Sequence, residues 1–261
     1  MSEHGRKVSE GNTQTVSPRE IKFGWLGSSG SRIYWFDHIG NLSFTLSIYI
    51  LPMKALVDPK KSSPRKTRSH SIRITKEFLK EYENSNSEDV IETLDLWSMA
   101  LPPFNGEVID MKYRIMHGEK IEEEKKPEWD KIIDLFNQFN SASKYVFSVP
   151  MWNFGIPYIL KHYIDLITQP SLAWSFSPDQ GYRGLVDGKV VILYSSGGDY
   201  SEASGLGGLD YQKKPFENWL GFIGLEDCKT INVSPTLGST EEVEEVIRRA
   251  EVEARDIAKN F

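Results

Sequence analysis

Three short segments of this 261-residue chain carry residue types suited to holding a ligand. The first, Lys60-Lys61-Ser62-Ser63-Pro64-Arg65-Lys66-Thr67-Arg68-Ser69-His70-Ser71, sets hydroxyls and basic side chains ahead of an amphipathic stretch. A helix N-terminus presents unpaired N–H groups and the positive end of a dipole, so Ser63, Ser69 and Ser71 suit a phosphate there. Between Lys54 and Arg73 seven Lys or Arg stand against one Asp, a local charge of +6. An ordinary N-cap on a solvated basic loop would account for the same run. The second segment, Pro150-Met151-Trp152-Asn153-Phe154-Gly155-Ile156-Pro157, fixes a tight turn but fills it with Met151, Trp152 and Phe154. Apolar rings in a loop suit a flat aromatic ligand, with Asn153 free to bond its polar edge; they would equally plug the top of a sheet. The third, Ser195-Ser196-Gly197-Gly198-Asp199-Tyr200, is small enough for backbone N–H groups to approach a ligand closely.

The elements that must position these loops alternate between strand and helix. A strand is expected within Leu42–Val57, ending in Lys54-Ala55-Leu56-Val57, followed by a helix from about Ser69 with Phe78, Leu79 and Tyr82 on one face. Val90–Leu96 alternates like a half-covered or edge strand, and Trp97–Lys126 reads as long and irregular. Pro127 opens a helix in which Trp129, Ile132, Ile133, Phe136 and Phe139 recur at helical spacing. Tyr145–Val149 and Val190–Tyr194 are near-continuous apolar runs, as in strands buried on both faces, separated by a helix carrying Ile156, Ile159, Leu160, Tyr163, Ile164 and Ile167. A helix opened by Pro215 stops at Gly224, Lys229–Val233 makes a last strand, and a capping box of Ser239 and Glu242 starts the closing helix. Such alternation requires right-handed crossovers and a parallel sheet covered on both faces. The expected fold is α/β, a doubly wound five-stranded parallel sheet of flavodoxin type in the order 2-1-3-4-5, with its ligand at the carboxyl ends of the strands. Residues 1–52 are expected to be a partly disordered extension and residues 53–261 the domain.

Composition narrows the function classes. The net charge is −6 and the pI about 5.5, which argues against a surface built for nucleic acid. One cysteine, Cys228, excludes an intrachain disulfide and a multi-cysteine zinc site and suits a reducing compartment. The five histidines show no metal-binding spacing, so no metal is expected. No apolar run is long enough to span a bilayer and no apolar leader stands at the start, so the expected location is the cytoplasm.

The stretch from Val149 to Gly198 resembles the FMN-dependent NADH:quinone oxidoreductase and NADH-azoreductase family. The matching motifs are Pro150-Met151-Trp152-Asn153-Phe154, Tyr163-Ile164-Asp165-Leu166, Gly184-Leu185 with Gly188-Lys189, and Ser195-Ser196-Gly197-Gly198. The resemblance implies a homodimer that binds FMN at the subunit interface, takes electrons from NADH or NADPH and passes them to quinones or azo compounds in a ping-pong cycle. It places the phosphate on Ser63, Ser69, His70 and Ser71, and the isoalloxazine ring against Met151, Trp152, Asn153 and Phe154. Ser195, Ser196, Gly197 and Gly198 form the third loop, with Ser196 where the family usually has arginine. Hydride transfer through a flavin needs no protein nucleophile. Trp174 and Phe176 either wall the acceptor pocket or belong to the core, Cys228 reads as a small buried hydrophobe, and His162 faces solvent or a dimer partner. An electron-carrying flavodoxin and a flavin-free interaction protein are the competing readings.

Overall fold

A computed structural model of the chain describes the backbone of Ser47–Ile50 and residues 70–261. The Lys54–Val57 end of the expected first strand, together with Ser63 and Ser69, lies outside the described residues.

The main sheet has the spatial order β2-β1-β3-β6-β7. Its strands are β1 (Ser47–Ile50), β2 (Glu92–Asp95), β3 (Lys144–Pro150), β6 (Lys189–Ser195) and β7 (Asp227–Val233). A separate antiparallel hairpin, β4 (Trp174–Ser177) and β5 (Gly181–Gly184), is inserted before β6. The helices are α1 (His70–Ser85), α2 (Gly106–Met116), α3 (Lys126–Asn140), α4 (Tyr158–Ile167), α5 (Lys213–Ile223) and α6 (Thr240–Lys259).

β3, β6 and β7 form a parallel ladder in which Phe147 pairs with Ile192 and Ile192 with Thr230. The expectation of five parallel strands needs correction. β1 runs antiparallel to both neighbours, Ile48 opposing Leu94 on β2 and Phe147 on β3. Ser-Ile-Tyr-Ile at 47–50, inside the range expected for the first strand, consists largely of β-branched and aromatic residues, which strands favour. Two further corrections concern elements absent from the sequence reading. The stretch 97–126 contains α2, whose start is fixed by Asn105: its side chain accepts from Glu107 N–H and Val108 N–H, both at 3.1 Å. The β4–β5 hairpin was hidden because its alternation covers only four residues a side.

Alternating strand residues divide the core. Tyr145, Phe147, Val149, Val190, Ile192 and Tyr194 face α3, α4 and α5, while Val146, Val191, Leu193, Ile231 and Val233 face α1 and α6. The sheet is therefore covered on both faces, as a doubly wound arrangement requires. β2 lies at the edge with its side chains alternately buried and half-buried, as its alternation suggested. The capping box forms, Ser239 and Glu242 satisfying each other's backbone N–H groups, and its hydrogen bonds hold the Glu242 carboxyl below its ordinary pKa.

Glu92 on β2 is 7% exposed and accepts a 2.6 Å hydrogen bond from Gln138 Nε2 of α3. Burial raises its carboxyl pKa above the ordinary value, with the Gln138 bond opposing more weakly. A raised folded-state pKa favours the proton-bound form. Its stability contribution is full below the ordinary carboxylate range and is lost as pH rises through the raised value. Glu92→Gln keeps an acceptor for Gln138 without the buried charge. It should melt higher than the wild type at pH 8, by roughly 1 kcal/mol of stability, and level with it at pH 4. Thermal melts showing no gain at pH 8 would mean that Glu92 ionises there without penalty.

Candidate functional site

The loop after β3 is a two-residue hairpin turn. Trp152 N–H donates to Gly155 O at 2.8 Å and Gly155 N–H to Trp152 O at 3.0 Å, with Asn153 at φ 47° and Phe154 at φ 70° between them. Turns of this kind need positive φ at both central positions, which suits Asn but strains a bulky Phe. Surrounding structure holds the strain in place. Met151 N–H donates to Ser195 O at 2.7 Å, Tyr211 N–H donates to Phe154 O at 2.9 Å, and the buried Gln212 donates from Nε2 to Val149 O at 2.8 Å. Phe154 consequently stands 45% exposed, edge to face with Tyr200 at 6.1 Å. An exposed aromatic kept on a strained turn points to a binding role.

The loop after β6 faces this turn. Ser196 Oγ donates to Gly198 O at 2.8 Å, closing the loop on itself. Ser196 N–H donates to Val233 O at 3.3 Å, and Asp199 Oδ1 accepts from Ser201 N–H at 2.9 Å. The hydrogen bonds from Ser201 hold the Asp199 carboxyl below its ordinary pKa. The segment after β7, Pro235–Leu237, packs onto the same loop and was missed in the sequence, where a short Ser-Pro-Thr-Leu run reads as an ordinary connection.

The start of α1 lies at the same end of the sheet. Lys144 at the beginning of β3 donates to Tyr82 OH at 2.7 Å in the last part of α1, so the first turn of α1 lies toward the carboxyl end of β3. His70 there is half-buried and Ser71 is 1% exposed. Ser148, on the face of β3 toward α1, is fully buried and its Oγ has no partner among the described residues. The structure thus gathers Met151, Trp152, Asn153, Phe154, Ser195, Ser196, Gly197 and Gly198 in adjoining loops, with His70 and Ser71 at the same end of the sheet.

On the α4 side of the turn opens a cleft of 910 Å³, lined among others by Phe104, Trp152, Asn153, Tyr158 and Tyr211. Trp97 packs on two of these rings, 5.5 Å from Trp152 and 5.4 Å from Tyr158 between ring centres, and the β2–α2 connection itself lines the cleft with Pro103 and Phe104. His162, expected toward solvent or a partner, is half-buried at the same cleft, and its Nε2 lies 2.9 Å from Pro102 O, linking α4 to that connection. Trp174 is core at 8% exposure, whereas Phe176 projects at 58% from the hairpin. Cys228 is half-buried with its thiol pKa pushed up to about 11 by burial, which leaves it a poor nucleophile. No cluster of His, Cys, Asp or Glu among the described residues is arranged to hold a metal, and no described helix is long and apolar enough to cross a membrane.

These features fit a flavin mononucleotide: an aromatic turn for the ring, a glycine pair for close backbone approach, and, at the same end of the sheet, a buried hydroxyl without a partner among the described residues and a helix start suited to a phosphate. Residues 61–257 match the family of the flavodoxin-like fold, and the chain belongs to it. Among curated proteins the chain is similar to the FMN-dependent NADH:quinone oxidoreductase of Desulfotalea psychrophila, 42% identical over 201 residues that cover 77% of this chain and 94% of that protein. The enzyme of the same name from Nitratidesulfovibrio vulgaris strain Hildenborough is 37% identical over 77% of this chain and 97% of its own. Among solved structures, an azoreductase of Bacillus anthracis strain Sterne superposes with TM-score 0.68 at 28% identity, covering 77% of this chain and 96% of that one. An FMN-dependent NADH-azoreductase of B. anthracis strain Ames Ancestor, in complex with FMN, superposes with TM-score 0.63 at 27% identity over 74% and 92%.

Proposed function

We propose that this protein is an FMN-dependent NAD(P)H oxidoreductase that reduces quinones or aromatic azo compounds by two-electron, ping-pong hydride transfer. The observation that carries the reading is the strained, exposed aromatic turn Trp152–Gly155 set against the Ser195–Gly198 loop. The relatives' names supply NADH as donor and quinone or azo compound as acceptor.

Bound FMN would supply the hydride acceptor and donor. Met151, Trp152, Asn153 and Phe154 would cover the ring and exclude water, and Asn153 would bond its polar edge. Ser195, Ser196, Gly197 and Gly198 would flank the ring on the other side, where N–H donors favour the negative charge that builds up on reduction. Ser63, Ser69, His70 and Ser71 would hold the phosphate at the start of α1. Positioning and exclusion of water, rather than acid–base chemistry, are then the protein's contribution.

The domain in this reading is residues 53–261, following an extension over 1–52. Its sheet order is 2-1-3-4-5, which the spatial order β2-β1-β3-β6-β7 supports once the separate hairpin is set aside. The active form is a homodimer, and a chain with one thiol, Cys228, suits the cytoplasm. The open aromatic cleft beside the turn favours a site for a flat acceptor over a bare electron carrier.

The test is the visible spectrum of the protein loaded with FMN. An enzyme is yellow, is bleached by stoichiometric NADH without oxygen, and recovers its colour when a quinone is added. A yellow protein inert to NADH would instead be a carrier, and failure to take up FMN would defeat both readings.

A further inference from the structure

Thr236 is hydrogen-bonded to the loop that faces the aromatic turn. Its N–H donates to Ser196 O and to Gly197 O, both at 3.0 Å, and its Oγ1 donates to Ser196 O at 2.9 Å. The next residue repeats the contact, Leu237 N–H donating to Gly197 O at 2.9 Å. The Leu237 side chain, 80% exposed, lies so close over the loop that a Cβ on Gly197 would come within 2.8 Å of Leu237 Cδ1.

These bonds fix a direction. In a planar trans peptide the C=O points opposite to the N–H of the following residue. Thr236 and Leu237 draw the carbonyls of Ser196 and Gly197 toward the segment after β7, so the N–H groups of Gly197 and Gly198 must point the other way. β6 lies between β7 and β3, so the other way is toward the turn after β3. Neither N–H donates to any group among the described residues. Two parallel, unpaired donors held by their own carbonyls form a prepared seat for an oxygen or nitrogen that gains negative charge.

We infer that Thr236 is a positioning residue: it aims the Gly197 and Gly198 N–H groups at the electron-accepting edge of the ring lying over the Trp152–Gly155 turn. The inference rests on the flavin reading and deepens it, because it assigns the preference for the reduced ring to a residue outside the three ligand loops. The Oγ1 bond is the separable part of the device. Thr236→Val removes it and keeps the side chain's shape and the backbone bonds, while Thr236→Ser retains the hydroxyl.

The experiment compares wild type, Thr236→Val and Thr236→Ser by FMN titration, followed by fluorescence, and by the midpoint potential of the bound flavin. Thr236→Val should weaken FMN by about fivefold, the scale of one net hydrogen bond, and should lower the potential. Thr236→Ser should restore both, because it keeps the hydroxyl that bonds Ser196 O. An unmoved FMN affinity and potential in Thr236→Val, or a Thr236→Ser as impaired as the valine variant, would overturn the role of Thr236 while the flavin reading stands. Wild-type protein that takes up no FMN would sink the flavin reading and this inference with it.

Discussion

Phe154→Gly is expected to melt no lower than the wild type and yet to hold FMN about tenfold more weakly, the scale of one aromatic contact. The two effects have opposite causes at one residue. Phe154 has φ 70° in a turn whose other central residue is Asn153, and Asn-Gly is the pair this turn type prefers. A left-handed conformation costs a bulky residue about 1–2 kcal/mol, whereas glycine adopts it freely at an entropic cost of about 0.5–1 kcal/mol. The ring contributes little burial in return, since it is 45% exposed and its aromatic neighbour is Tyr200 at 6.1 Å. Phe154→Ala separates the effects: it keeps the strain and loses the ring, so it should be less stable than Phe154→Gly by about 1 kcal/mol and bind FMN no better. Thermal melts of the apo variants and FMN titrations decide the matter. A glycine variant clearly less stable than the alanine variant would mean that the turn is not strained at Phe154.

Gly224→Ala should cost about 2–4 kcal/mol of stability. Gly224 ends α5 in a left-handed conformation at φ 109°, and the cap is completed by Leu225 N–H donating to Leu220 O at 2.9 Å. A Cβ at Gly224 would stand 2.4 Å from Val186 O, and one at Gly184 would stand 2.2 Å from Gly224 N. Backbone meets backbone here, where the end of β5 docks against the end of α5, so neither side can yield by turning a side chain. The same contact holds the β4–β5 hairpin that projects Phe176, and Val186 N–H donates to Ile223 O at 2.9 Å beside it. Gly221, three residues earlier, is the control. Nothing lies within 4 Å of a Cβ there, so Gly221→Ala should gain about 0.5–1 kcal/mol from helix propensity. Denaturant unfolding of the two variants should move in opposite directions; a Gly224→Ala protein as stable as the wild type would contradict the close approach.

Much of the architecture was legible because its signals are local. Pro127 near the start of α3, Gly224 after α5 and the Ser239–Glu242 box before α6 act through φ preference and backbone hydrogen bonds within one helical turn. The buried runs at Tyr145–Val149 and Val190–Tyr194 declared central strands because only a strand covered on both faces can be apolar throughout. The helix α2 escaped because Asn105-Gly106 reads as a turn, and its cap is recognisable only once Asn105 bonds the two N–H groups that follow. The hairpin escaped because four-residue strands leave too short an alternation to count.

The ligand loops after β3 and β6 were visible in sequence for a similar reason: unusual composition, aromatic in one and glycine-rich in the other, marks a loop that does more than connect. What the sequence by itself determined was therefore the alternation of elements, the caps and the identity of these loops. Tertiary structure alone decided the direction of β1, the positive φ of Phe154, the fixing of His162 to Pro102 and the hold of Thr236 on Ser196 and Gly197. The physical reason is separation along the chain. His162 and Pro102 are 60 residues apart, and Thr236 and Ser196 are 40 apart. A hydrogen bond across such a distance leaves no trace in local periodicity, and it forms only when the sheet has brought the ends of its strands together.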